Sequence, residues 1–600
     1  MNKLVLGATG LLALASGAVQ AQTITLNAPG ADDDLTSLLR DASLSVSINA
    51  DEETDKAPQD YVAAARADYR RLLTALYAAG YYSPVISIQV NGSEAAGIPP
   101  LDSPQVIDTV TLNVQPGPLF TFGRADITPV APGTELPEGY AVGADAKADV
   151  IRQAASVART RWQELGYAKV QVADQQIIAQ HSDNLLAADV TLDTGPQLTF
   201  GPLIVTGNAD VRTAAIQRIA GLPTGEVYSP DALTAAANRL RRTGAFDSVA
   251  LTEADDIAAG DTLPITATIA ESLPRRIGFG LELSSVEGVR VSTFWIHRNA
   301  FGGAENFRID GEVAGIGGTT GGTDYTLSTA LKVPAIYGPQ TDFTFTTAIS
   351  REDEPEFLID KFSTEALVTR LITEDLEIEG GLGLLLAQEE TNFGDRDYLL
   401  LTAPLAATYD KRNSETNATS GYYIKASATP FLALDGGESG ARGFLDTRGY
   451  VSFGTDDRFT IAARAQLGTV IGPDIDQAPQ DFLFYSGGTS TVRGQGYQSL
   501  GVPQIVDGET VTVGGKSFAG AQIEARVGIT EAISAVGFYD YGYVGADSAP
   551  FQDGADQSGV GIGIRYDTGI GPIRLDIGTP ASGDDQFKSV EVYIGIGQAF

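Results

Sequence analysis

From Leu273 onward, apolar and polar residues alternate in segments of about ten, such as "IGFGLELSS", "NFRIDGEVAGI", "DYTLSTALKV", "FTIAARAQLGTV" and "VEVYIGIGQAF". Alternation at period two sends successive side chains to opposite faces of a strand. Tilted strands of about this length cross a bilayer. Turns rich in Gly, Asp, Asn and Ser separate the segments, and about sixteen strands fit into residues 273–600. The pattern predicts a transmembrane antiparallel β-barrel of even strand number, with a large soluble β-domain as the alternative.

Before residue 273 the period changes. "QPGPLFTFG", "DTGPQLTFG" and "ESLPRRIGFG" end at Gly123, Gly201 and Gly280, 78 and 79 residues apart. A fixed period of this size marks repeated small domains. In the third repeat, 201–207 reads as a strand, 209–219 and 230–242 have helical apolar spacing, Gly244 closes the second helix, and 246–251 and 263–269 alternate. The unit is β-α-α-β-β, and the repeats divide at 22–118, 119–197 and 198–272. The first is the least regular, as terminal repeats often are.

Residues 1–21 have Lys3, an apolar run from Leu4 to Val19, and small residues at Val19 and Ala21. This is the layout of a cleavable export signal. Export allows disulfides, yet the chain has no cysteine, so packing and strand pairing must hold it together. The net charge of −36 argues against a nucleic-acid partner, since a phosphate-binding footprint needs clustered Lys/Arg across a face.

Little points to bond-making chemistry. "GGKS" at 514–517 lacks the first glycine of a phosphate loop, since position 510 is Thr510. Two histidines, His181 and His297, far apart in sequence, do not make a metal site, and there is no Gly-x-Ser-x-Gly elbow. No enzyme activity, cofactor or metal is expected.

A long irregular stretch, 471–515, joins the eleventh and twelfth predicted strands, and loops this long are seldom passive. Its "FLFYSGGTSTVRGQGYQSLG" resembles the sixth-loop motif of the BamA/TamA/two-partner-secretion superfamily of outer-membrane assembly proteins, whose core is Val-Arg-Gly followed by an aromatic. Here these are Val492, Arg493 and Gly494, with Gln495 in the usual aromatic place and Tyr497 two residues on. "FYDYG" resembles the same family's Phe-x-Asp-x-Gly motif through Phe538, Asp540 and Gly542, and Glu524 falls at its acidic position one strand earlier. "YDKRNSETNATSGYYIKAS" and "GVGIGIRYDTGIGPIRLDIGTP" resemble two of its hairpins, and the repeats resemble its POTRA modules.

The resemblance implies that the loop folds back into the barrel lumen, where Arg493 acts as a latch held by Asp540 and Glu524, with Tyr497 as its stacking aromatic. A planar guanidinium can grip carboxylates and carbonyls together, and it needs an acidic partner because an unpaired lumen charge is costly. The chain end, Phe600, is similar to the terminal signal read by the insertion machinery of this membrane.

Gly278 and Gly280 in the first barrel strand and Gly595 and Gly597 in the last suggest a weak seam, since interior glycine weakens a strand. An opened seam exposes unpaired N–H and C=O groups that can template a client strand, so these four glycines are the candidate lateral gate. Three modules point to the TamA type of autotransporter assembly factor; BamA-like proteins usually carry five and two-partner-secretion transporters two. That resemblance implies unfolded outer-membrane clients, outer-membrane lipid and a TamB-like partner anchored in the inner membrane, with the modules in the periplasm. A BamA-like general insertase, a two-partner-secretion transporter, a passive channel and a tether are the alternatives.

Overall fold

The computed structural model describes residues 23–50, 57–99 and 104–598 apart from 320, 507, 531, 569–571 and 597. The export signal at 1–21, Gly597 and Phe600 therefore lie outside the described residues. The chain divides into two compact units, the first carrying two small α/β modules and the second most of a third module together with the barrel.

In the first module a sheet packs against helices Asp33–Ala42 and Pro58–Ala79. Pro58 starts the longer helix where its missing N–H costs nothing, Asp60 accepts the Ala57 N–H at 2.9 Å, and Gly80 ends it at φ 96°. Leu72 and Leu76 from this helix meet Ile88, Leu112 and Val114 from the strands in a closed core. The second module pairs strands Thr121–Thr128, Gln171–Gln180 and Leu185–Asp193 behind one helix, Ala148–Glu164. Where its first helix would stand, 129–147 runs in turns, because Pro129, Pro132, Pro137 and the positive-φ Gly133 and Gly143 break helical continuity.

The third module has both helices, Thr213–Ala220 and Pro230–Arg242, but the first begins four residues later than the apolar spacing suggests. The cause is local: the Glu271 carboxylate accepts the N–H groups of Ala209, Asp210 and Val211 at 2.8–3.1 Å, holding them in a turn. A charged acceptor outcompetes the start of a helix whose own orphan N–H groups have no partner.

The barrel is closed and has sixteen antiparallel strands, the first Arg275–Ser284 and the last Glu591–Ile596. The eighth strand is in two pieces, Gly394–Thr402 and Leu405–Asp410, which pair with the same two neighbours. Pro404, which has no N–H to give to the ladder, sits at the break. Leu327, Ile349, Phe362 and Leu386 stand directly opposite one another on four successive strands and are exposed to lipid. Alternate positions such as Ile359, Ala387 and Tyr398 point inward and are buried.

Replacing Glu271 with Gln should speed amide exchange at Ala209, Asp210 and Val211 at least tenfold, as the charged acceptor is worth about 1.5–3 kcal/mol. Hydrogen-exchange mass spectrometry of the full chain, with barrel peptides as the internal control, reads this directly.

Candidate functional site: a lumen loop and a short seam

The connection between the eleventh strand, Phe459–Ile471, and the twelfth, Ser517–Gly528, turns into the barrel. Its first part is anchored by packing. Phe484 packs against Phe444 and Phe518 in a three-ring cluster with centroids 5.9–6.5 Å apart, and the Arg442 guanidinium lies 4.6 Å from the Phe484 ring. Leu483 and Val502 join wall residues Val470 and Val544 in the same cluster. Polar ties fix the register: Asp481 pairs with Lys361 at 2.9 Å, and the Gln480 N–H donates to Glu389 at 3.2 Å.

The tip is anchored by charge. Arg493 is fully buried and donates Nε and Nη2 to the two oxygens of Asp540, at 2.7 and 3.0 Å, while its backbone N–H reaches the same carboxylate at 3.1 Å. Nη1 reaches Glu524 at 2.7 Å and Asp576 at 3.2 Å. Glu524 also pairs with Arg526 at 2.8 Å, and Asp576 with Arg565 at 2.5 Å. Three guanidiniums and three carboxylates thus cancel, which is the condition for holding charge in a desolvated lumen.

Backbone geometry lets the tip lie flat on the wall. Gly494 has φ 89°, and a Cβ there would sit 2.5 Å from the Thr579 nitrogen. At Gly542 a Cβ would run into the Ser486 hydroxyl and the Val492 side chain, so the bare glycine is what admits Val492.

Tyr497 does not stack on Arg493. It extends to the fifth strand, Thr341–Glu354, and donates its hydroxyl to Glu354 at 2.8 Å. Phe538 supplies the aromatic face, 3.7 Å from the guanidinium carbon, while Gln495 donates to the Ser558 carbonyl at 2.8 Å. A wall aromatic already covers the cation, leaving the loop aromatic free to span the lumen.

The seam between first and last strands is short. The first strand pairs with the second, Gly288–His297, along its whole length, from Arg275↔His297 to Ser284↔Gly288. Among the described residues it pairs with the last strand at Leu283↔Ile594 and Ser284↔Tyr593. Ser285 extends the closure by one step, giving its N–H to Val592 at 3.1 Å and its hydroxyl to Glu591 at 2.7 Å. On that edge, residues 275–282 have no ladder partner among the described residues.

The loop touches both sides of this closure. Thr489 donates its N–H and hydroxyl to Glu287 in the first hairpin, at 3.0 and 2.7 Å, and the Gly494 N–H donates to the Tyr593 hydroxyl at 3.0 Å.

A family profile described as the Omp85 superfamily domain matches residues 299–600, and a POTRA profile, described as the surface antigen variable number repeat, matches 198–272. The chain belongs to the Omp85 superfamily. It is an outer-membrane β-barrel carrying POTRA modules, whose place in this family is the periplasm. BamA from Haemophilus ducreyi lacking POTRA domains 1–3 is similar in fold, with TM-score 0.62 and 15% identity over 80% of this chain and 100% of that one. CdiB from Acinetobacter baumannii has TM-score 0.50 and 12% identity over 80% of this chain and 90% of that one.

In this Omp85 barrel the glycines at 278, 280 and 595 make room for neighbouring side chains. A Cβ at Gly278 would overlap the Phe294 ring, and one at Gly280 the Ser292 hydroxyl, so both make room for second-strand side chains. Over Gly595 lies Arg574, which crosses the seam to pair with Glu282 at 2.7 Å. Glycine here clears a path for a cross-seam ion pair.

Asp576, Arg526 and Arg565 went unrecognised in the sequence. The available signal was parity: Arg526 is two residues from Glu524 and so shares its face, and an ionisable residue on the inner face of a spanning strand is a functional candidate.

Arg493→Ala and Asp540→Ala should each cost about 3–5 kcal/mol, since each strands a buried opposite charge. The double variant should lose clearly less than the sum, a coupling of at least about 1 kcal/mol. The temperature at which the folded barrel loses its characteristic gel mobility in detergent measures both; additive losses would count against one shared network.

Proposed function

We propose that this Omp85 chain inserts or translocates outer-membrane proteins, autotransporters among them, through a lateral opening between its first and last barrel strands. The observation that carries this reading is the seam, which among the described residues is laddered at two positions, where the first strand pairs with the second along its whole length. An unpaired backbone edge in hydrocarbon costs several kcal/mol per orphaned group, so it gains by accepting a client strand. Pairing of that kind is β-augmentation, which supplies main-chain hydrogen bonds irrespective of client sequence. The reaction lowers an insertion barrier and makes no covalent bond.

A passive channel fits less well, because the loop fills lumen space with packed side chains, Leu483 and Phe484 among them. Three POTRA-like modules favour the TamA type over the BamA-like and two-partner-secretion alternatives, and with it a TamB-like partner meeting the first module. In this reading Arg493, Asp540 and Glu524 form the latch, with Val492, Gly494, Phe538 and Gly542 shaping its seat. Leu283, Ser284, Ile594 and Tyr593 are the gate positions that meet, alongside the glycines at 278, 280, 595 and 597.

With no native cysteine to interfere, Leu283→Cys with Ile594→Cys places a pair directly across the seam. Surface display of an autotransporter should fall to background when the disulfide forms and return on reduction. The same pair at Leu327 and Ile349, opposite each other on strands four and five, should leave display unchanged. Display that persists through a verified seam cross-link rules out the lateral route.

A further inference from the structure

The second helix of the third module ends Asn238-Arg239-Leu240-Arg241-Arg242, and Leu240 is fully buried. Its last turn faces two barrel turns across a cavity of about 430 Å³, lined by Asn238, Arg239, Arg241, Arg242, Gln340 and Glu374 among others.

The charge in this cavity is not balanced. Arg239 donates Nε to the Ala220 carbonyl at 2.9 Å and Nη2 to that of Gly221 at 3.3 Å. Arg241 donates to the Val249 carbonyl at 2.8 Å and the Asn238 side chain at 3.1 Å. Arg242 is exposed, and among the described residues none of the three guanidiniums is within ion-pair distance of a carboxylate. Glu374 is the lining acid, and it faces Asn238 at 3.5 Å. Burial, with the neighbouring Arg242 charge, pulls the Arg239 guanidinium below its usual range. Elsewhere in the barrel Arg308, Arg351, Arg412 and Arg448 each have a carboxylate partner, and the whole chain carries −36.

The cavity also lies at a definite depth. The first barrel strand follows the third module directly, so the turns at 334–340 and 372–375, which enter the fifth and seventh strands, are on the module's side of the membrane. Ile336, Tyr337 and Ile372 on these turns are exposed, Tyr337 to 77%, and lipid-facing Phe345, Val368 and Ile378 begin a few residues further in. Tyrosine at the edge of an apolar band marks the headgroup layer. Arg370, two residues from Val368 and so on the same outward face, is exposed there as well.

We propose that this cavity binds the phosphodiester headgroup of an anionic glycerophospholipid from the periplasmic leaflet, gripped by Arg241 and Arg242 with Asn238 and Gln340 beside them. Guanidinium forks match phosphate oxygens bidentately, and a chain this acidic gains attraction to an anionic surface only where its cations are grouped. The acyl chains lie against the Tyr337 and Val368 side of the wall. The site ties the third module to the membrane surface, away from the seam, so a failed seam experiment leaves it standing.

The test is native mass spectrometry of the full chain in detergent, titrated with phosphatidylglycerol, phosphatidylcholine or inorganic phosphate. Phosphatidylglycerol should be retained in preference to phosphatidylcholine. Retention should weaken about fivefold for each of Arg241→Gln and Arg242→Gln and about 25-fold for both, with Arg152→Gln on the second module as an unaffected control. Gel mobility confirms that each variant barrel is folded; if the double variant is not, Arg242→Gln alone carries the test, since that side chain is exposed. Equal retention by wild type and variants, equal binding of the two lipids, or displacement of phosphatidylglycerol by equimolar inorganic phosphate would each overturn the assignment.

Discussion

A guanidinium with no water around it must be answered by carboxylates, and the interior of this barrel is organised by that demand. Arg493 is fully buried and meets Asp540, Glu524 and Asp576, whose remaining charge is taken up by Arg526 and Arg565. Such a network is a weak source of net stability, since desolvation offsets much of the Coulomb attraction. Its value is positional: removing any one member leaves another charge stranded, so the loop tip has one well-defined seat. Apolar packing around Phe484 adds a second, chemically different anchor.

The opposite logic governs the barrel edge. Backbone groups in hydrocarbon must pair, and among the described residues fifteen of the sixteen strand junctions pair over most of their length while the seam pairs at two positions. What supplements the seam is side-chain chemistry: the Arg574–Glu282 pair, the Ser285–Glu591 hydrogen bond, and loop contacts to Glu287 and Tyr593. Side-chain ties of this kind can be exchanged singly, whereas a full ladder has to be broken along its length. The loop anchored by Arg493 therefore touches the two edges whose separation the proposed function requires.

The three modules show how one repeat tolerates different solutions. Apolar strands facing a helix form the core in each, yet proline and glycine replace a helix by turns in the second, and a single carboxylate, Glu271, delays one in the third. The arginine-ended helix of the third module adds a charge pattern that no core requires.

Much of the architecture is legible in the sequence. Period-two alternation is a local property, so barrel strands could be counted from residues alone, and a repeat near 80 residues disclosed the modules. The Val-Arg-Gly and Phe-x-Asp-x-Gly stretches singled out Arg493, Asp540 and Glu524 through resemblance. Which groups meet is a different kind of fact. Asp576 and Arg565 join Arg493 from strands far along the chain, Phe538 rather than Tyr497 covers the guanidinium, and the glycines at 278, 280 and 595 accommodate neighbours rather than merely weakening strands. Strand parity says only that a side chain faces the lumen; register, closure and the path of the loop decide its partner, because those are set by sixteen strands pairing at once.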